Sequence, residues 1–409
     1  MKQTDQTPEA AGKNSTERGI PAYSQEPILF DVGSVCELLS RLTDGRKARG
    51  RRYTLTTILV VMLMAKLSGE DRPAGIAEWA QHRAEGLATM LGLKRAQMPH
   101  ATTYGRVLGK AINPDQFERE LNAYFRGQPV VKTARQICLD GKQICGTQLI
   151  EGEGNVYLLG AYVPEAGVML MQVELAAGEG ELTVAPRLLR VLDLQGKIVT
   201  GDAAFTQRNL SIQIVGAGGE YVWKVKDNQP KLLSDIEHLF EPQPQPAPGF
   251  NTPKTDFVSA SDTRCGHGRV ETRTLTTSSL LKSYSDWPGL EQVFKLSCHT
   301  LYKKSAKSLN TVTYGITSLP SDEASPCALL NIVRTHWAIE GGSHQRRDVT
   351  FHEDHCDLRR DNAAHIIAIL NNLSIALIAR RPFKNAPAAR RFFSAHSDQA
   401  FYALVSSIP

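Results

Sequence analysis

Hydrophobic and polar positions alternate in three distinct registers along this chain. Residues 1–27 are polar, with no apolar run, and read as a disordered tail. From Ile28 to about Gly127 apolar residues recur at helical spacing. CELLSRL, LTTILVVMLMAKL, GIAEWAQHRAEGL and FERELNAYF are predicted helices, separated by loops carrying Gly, Pro or charge. Near Ala134 the period shortens to that of strands. ARQICLDGKQICG, NVYLLGAYVPEAGVMLMQVEL, GKIVTGDAAF and GEYVWKVK are rich in Val, Ile and Tyr and bounded by Gly. TVAPRLLRVLDL and QRNLSIQIVGAG supply helices between the later strands, which predicts a mixed α/β sheet.

The Pro-rich EPQPQPAPGFNTP breaks this pattern after residue 240. Four alternating segments follow (TDFVSAS, GRVETRTLTT, QVFKLSCHTLY, NTVTYGITSL) and predict an all-β insertion to about residue 320. CALLNIVRTHWAIE and NAAHIIAILNNLSIALIARR then return to helical spacing. The expected organisation is a tail (1–27), a helical N-terminal domain (28–130), the first part of an α/β core (131–240), a β-rich insertion (241–320), closing helices of the core (321–384) and a C-terminal tail (385–409).

Composition narrows the classes. The 409 residues suffice for two or three domains, and 42% hydrophobic with 22% charged is ordinary for a soluble protein. Lys plus Arg exceed Asp plus Glu by 47 − 42 = 5, which permits a polyanionic partner without requiring one. The excess is local: GRKARGRRY places Arg46, Lys47, Arg49, Arg51 and Arg52 within seven positions. The longest apolar run, Ile58 to Ala65, is too short to span a bilayer and reads as a buried helix, and residues 1–27 lack the apolar centre of a signal peptide. Seven scattered cysteines without a C-x-x-C pair suit a reduced, cytoplasmic chain. No G-x-x-x-x-G-K-[ST] is present, so no nucleotide cofactor is expected. The HEDHC segment at 352–356 lacks the spacing of a zinc-binding H-E-x-x-H, and Trp287 reads as a core tryptophan before a base-stacking one.

Three acidic residues stand in separate settings: Asp140 in ICLDGK, Asp202 in IVTGDAAF and Glu340 in RTHWAIEGG. Taken singly, each has a plain structural reading. Asp140-Gly141 is a hairpin-turn signal, Asp202 is a helix N-cap after a strand, and Glu340 is a surface residue late in an amphipathic helix. Taken together they are a first strand's Asp, a later strand's Asp and a late helix's Glu. Such a trio binds two divalent ions at the entering and departing oxygens of a phosphodiester.

The segments GRRYTLTTILVVMLMAKLSG, GIAEWA, LDGK, VTGDAAFTQRNL, GGEYVWKVKDNQP, HGRVETR, HWAIE and DVTFHED, in this order over residues 28 to 381, resemble DDE-type insertion-sequence transposases of the branch that includes the H-repeat-associated proteins. The resemblance implies a ribonuclease-H-like mixed sheet flanked by helices, and Asp140, Asp202 and Glu340 as the catalytic and metal-binding triad for two Mg²⁺ (or Mn²⁺) ions. It implies double-stranded DNA as partner, both element ends and target, a homodimer on DNA, and a cytoplasmic, nucleoid-associated protein. Related transposases carry a Tyr-Arg-Glu-Lys signature around the glutamate. Val333, His336 and Arg347 stand here at its first, second and fourth places. Candidate DNA contacts are Arg49, Arg51, Arg52, Lys224, Lys226, His336, Arg346 and Arg347, with His267, Arg269 and Arg273 of the HGRVETR segment in undefined roles and Arg359, Arg360, Arg380 and Arg381 flanking the closing helix. A metal-dependent nuclease or resolvase without strand transfer, and a non-catalytic DNA-binding remnant, remain as alternatives.

Overall fold

A computed structural model describes residues 28–49, 51–145, 147, 155–241, 255–266, 268–355 and 361–407. The expected N-terminal tail, most of the Pro-rich break, His267, Cys356, Arg359 and Arg360 lie outside the described residues.

Nine strands form one sheet. In chain order they are β1 (Gln136–Gln143), β2 (Tyr157–Val163), β3 (Val168–Glu174), β4 (Ile198–Gly201), β5 (Glu220–Val225), β6 (Val258–Gly266), β7 (Arg269–Ser278), β8 (Gln292–Tyr302) and β9 (Ser308–Thr317). Their spatial order is β3-β2-β1-β4-β5-β9-β8-β7-β6. β1, β4 and β5 are mutually parallel, and every other neighbouring pair is antiparallel. The parallel strands are linked by crossing segments that contain the helices Glu181–Val191 and Arg208–Gly216, as parallel pairing requires. The insertion strands build no sheet of their own, because β9 pairs with β5 (Val222↔Thr317, Trp223↔Ile316) and extends the core sheet. Their solvent-exposed end is held by cross-strand hydroxyl pairs, Ser259–Thr276 at 2.8 Å, Ser261–Thr274 at 2.7 Å and Thr263–Thr272 at 2.9 Å.

Two helices are apolar on almost every side and are accordingly interior. In Leu55–Leu67, capped by Thr54, every residue but Thr56 is buried; in Ala363–Ala379 every residue but Ala379 is buried. They pack on one another, and one hydrophobic core runs from the N-terminal helices to the sheet. The stretch expected as a C-terminal tail instead folds into the helices Ala386–Ala395 and Ser397–Val405, which cover the Leu55–Leu67 helix. Arg390 donates to the Lys66 main-chain oxygen at 3.1 Å and to Asp71 at 2.8 Å. A buried His365 joins the halves, with Nε2 3.3 Å from Glu118 of the Pro114–Arg126 helix and Nδ1 3.0 Å from Glu174 of β3. These carboxylates outweigh the cost of burial and push the imidazole up to about 9. No helix among the described residues is long and apolar enough to cross a membrane.

Candidate active site

The parallel register of β1 and β4 sets the site. Gln136 lies opposite Ile198 and Cys138 opposite Thr200, so Asp202, just past the end of β4, follows the strand beside the one that carries Asp140, near enough for its charge to act on that carboxyl, although its oxygens are not among those that converge with Glu340. Asp140-Gly141 is therefore no hairpin turn: both residues lie inside β1, paired with Gly160 and Leu159. At Gly141 a Cβ would meet the Glu181 carboxylate and the Tyr157 ring, so that pair would have to move to admit any other residue. Asp202, exposed just past the end of β4, accepts from the Ala204 amide at 2.9 Å and caps the short turn Ala203–Phe205, as expected of an N-cap.

Glu340 reaches this face by an unexpected route. The amphipathic helix predicted to contain it ends at Thr335, and Glu340 opens the π-helical segment Glu340–His344, followed by a second, Arg346–Thr350. The Gly341-Gly342 pair is unfavourable in an α-helix interior. Here Gly342 allows close approach, since a Cβ would strike the Tyr162 ring of β2, whereas Gly341 faces open space. Tyr162, Cys138, Met169 and Ile339 form a small apolar cluster that seats the turn on the sheet. Polar contacts fix it from both sides. Gln136 Nε2 donates to Thr200 Oγ1 at 3.2 Å and to the Ile332 main-chain oxygen at 3.0 Å, and Thr200 Oγ1 lies 3.1 Å from His336 Nδ1. Lys142 pairs with Asp348 at 2.6 Å, and the buried Arg347 binds Glu353 at 2.6 and 2.9 Å. Glu353 also accepts from Asn371 of the closing helix at 2.7 Å.

The outcome is a convergence of donor atoms from Asp140, Glu340 and His344, all within 4.8 Å of one another. Among the described residues no second group of three His, Cys, Asp or Glu converges this way, and Glu353 of the HEDHC segment is turned inward to Arg347. Glu340 is 54% exposed, Asp140 27% and the His344 side chain 8%. Burial, then the Glu340 charge, and further Glu181 and Asp202, push the Asp140 carboxyl up to about 7. Burial, with Arg347 and Lys142 nearby, pushes His344 down to about 3 and leaves it a neutral nitrogen base. Crowded carboxylates that raise one another's affinity for a proton, next to a neutral imidazole, are a donor set suited to a divalent cation. His344 and Glu181 were not singled out from the sequence. The signal for His344 was its position four residues after Glu340; Glu181, which accepts from the Tyr157 hydroxyl at 2.5 Å, left none.

The expected DNA contacts divide. Arg49, Arg52 and Lys226 are exposed and Arg346 is half-buried. Arg51 is spent on its own loop, donating to the main-chain oxygens of Lys47 at 3.1 Å and Asp44 at 3.2 Å. His336 and Arg347 are buried and bonded inside the protein, so neither offers a charge to a ligand: burial pushes His336 down to about 4, and Glu353 neutralises Arg347. Lys224 stands 4.5 Å over the ring of Trp337, which is 56% exposed. Trp287 is buried, donating to Ser211, as a core tryptophan should be. Arg380 and Arg381 are packed near Tyr124. A cleft of about 780 Å³ between the insertion strands and the Pro326–Thr335 helix opens at Glu340, with Arg264, Arg269, Arg273 and Arg334 on its wall. Arg264 and Arg334 carry no signal in the sequence that would mark them as neighbours.

The donor set and its basic surroundings are those that a metal-dependent enzyme acting on a polyanion would present. Residues 135–377 match the transposase DDE domain and residues 36–125 the "DDE_Tnp_1-associated" domain. The chain belongs to the DDE transposase family. It is 29% identical over 356 residues to "Putative transposase YncI" of Escherichia coli O157:H7, covering 85% of this chain and 88% of that protein. It is 25% identical over 383 residues to "H repeat-associated putative transposase YhhI" of Escherichia coli strain K12, covering 92% and 98%. Among solved structures, a piggyBac transposase synaptic complex with hairpin DNA aligns over 90% of this chain and 78% of that one, at 11% identity and a TM-score of 0.41, too distant to place residues. The protein is thus a DNA transposase of the insertion-sequence type, an enzyme that cleaves DNA and transfers strands.

Proposed function

We propose that Asp140, Asp202 and Glu340 are the catalytic trio of this transposase, acting on the ends of an insertion sequence with two Mg²⁺ ions, or Mn²⁺ in their place. What supports this reading is the parallel pairing of β1 with β4, which brings the strand carrying Asp140 beside the one that leads to Asp202, together with Glu340 reaching the Asp140 carboxylate from 200 residues away (340 − 140). The order β3-β2-β1-β4-β5, in which only β2 runs opposite to the other four strands, supports a ribonuclease-H-like core over 131–240 and 321–384, the β-rich stretch 241–320 being its insertion. Bound divalent ions supply Lewis acidity to the entering and departing oxygens of an in-line phosphodiester displacement. Asp140, whose carboxyl feels the charges of both Glu340 and Asp202, would help hold both ions, with Asp202 and Glu340 each completing one site.

Residues 28–130 grip the terminal sequence through Arg49 and Arg52, while Lys226, Arg346 and Arg269 of the cleft hold backbone phosphates near the trio. Because two ends must be brought together, the working form is a homodimer on DNA, in the cytoplasm beside the nucleoid.

The test is a duplex carrying the element's end, incubated with Mg²⁺ and a target plasmid. The native protein cuts and joins; D140N binds the duplex with unchanged affinity and does neither. Undiminished cleavage by D140N removes the trio, and cleavage without joining by the native protein identifies a nuclease.

A further inference from the structure

We propose that Nδ1 of His344 is a third protein ligand of the ion held between Asp140 and Glu340, making this a mixed oxygen–nitrogen site. The inference rests on the carboxylate reading above and adds a residue that reading does not use.

His344 Nδ1 lies 3.5 Å from Asp140 Oδ2 and 3.6 Å from Glu340 Oε2. Both separations exceed an ordinary hydrogen bond, so the nitrogen faces the carboxylates without being satisfied by either. Neighbouring donors around an octahedral ion at about 2.1 Å stand about 3 Å apart, so the two sides that meet at the nitrogen need to shorten by only about 0.5 Å to reach that geometry. The imidazole is almost wholly buried, yet this nitrogen is directed at the one point where two carboxylates meet. Its orientation is imposed by the fold: the π-helical turn Glu340–His344 spans the two residues, and Gly342 between them lies against Tyr162. Single π turns are found often at functional sites, and here the turn sets donors four residues apart on one side. The next residues, Arg347 and Asp348, are anchored to Glu353 and Lys142, so the ring's backbone is held from behind.

An imidazole donor changes which ions the site prefers. All-oxygen sites suit Mg²⁺, whereas one nitrogen favours Mn²⁺, Co²⁺ or Zn²⁺ relative to it.

The experiment loads the full-length protein with Mn²⁺ and reads nitrogen coupling by pulsed electron paramagnetic resonance, without DNA. The native protein shows the ¹⁴N modulation of a directly bound imidazole. His344→Gln and His344→Asn lose it, and their Mn²⁺ affinity falls on the order of tenfold or more while Mg²⁺ affinity moves less. Thermal melts of both variants establish that they fold. Mn²⁺ that binds, is weakened by D140N and shows no nitrogen signal overturns this inference and spares the carboxylate site. A protein that binds no Mn²⁺ overturns both.

Discussion

Thr200 and His336, 136 residues apart, share a hydrogen bond of 3.1 Å between Oγ1 and Nδ1. Through it the helix that precedes Glu340 is tied to the strand that precedes Asp202. Gln136 on β1 completes the tie by donating to the same hydroxyl. Thr200→Val keeps the shape but leaves two buried polar groups without this partner, costing about 1–3 kcal/mol. Without this tie the segment that leads to Glu340 is free to shift, and a shift near 1 Å costs on the order of 10²-fold in rate. Urea melts and strand joining at saturating Mg²⁺ are expected to show both losses, with DNA affinity unchanged.

The elevated Asp140 carboxyl makes metal binding pH-dependent. Its value in the folded protein, about 7, lies above the ordinary carboxylate value near 3.8, so the metal-free fold binds this proton more tightly than the unfolded chain does. That contribution to stability is complete below about pH 4 and is lost as pH rises through about 7. A divalent ion relieves the resulting charge repulsion and must displace the proton to bind. The rise in Tm on adding Mg²⁺ is therefore expected to be larger at pH 8 than at pH 6. In D140N the difference between the two pH values disappears.

The two glycines after Glu340 should behave oppositely. Gly342→Ala forces a Cβ into the Tyr162 ring, lifting the π turn off the sheet, and is expected to abolish cleavage and lower the melting temperature by several degrees. Gly341→Ala meets nothing and leaves both within error. Equal effects at the two positions in a thermal melt would sink this account of the turn.

Glu353→Ala strands the buried guanidinium of Arg347 and frees Asn371. Removing one partner of a buried pair costs about 3–5 kcal/mol, enough to read directly by chemical denaturation. Arg347→Lys is expected to recover little of the native stability, since Glu353 is gripped by two guanidinium nitrogens at once.

The central strands were readable because each carries its own local signal. The β1 and β4 segments are short apolar runs bounded by Gly, and their acids sit where the sequence placed them. The rest depended on contacts between distant residues. That β9 zips onto β5 is a pairing across about 90 residues, and nothing in the alternation of β9 states its partner. The π turn at Glu340 leaves no period to read, only two glycines whose purpose is a tyrosine on another strand. Arg347 reads as a phosphate ligand from its place in the signature around the glutamate. Its fate was decided by Glu353 and by Asn371, which the sequence shows merely as a polar residue in an apolar helix. The helices after residue 385 are short, and most of the apolar positions in the first are alanines, so their helical face is defined only against the Leu55–Leu67 helix.

That N-terminal helix lies in the same interior as the chain's last helices, and His365 rivets the two regions across Glu118 and Glu174. On the proposed reading, residues 28–130 would hold a DNA end from a base that shares one core with the strands of the carboxylates, with no separate hinge between them among the described residues. The offset between the sequence so held and the phosphate so broken would then be a fixed length, with the fold itself as the ruler for where the element ends.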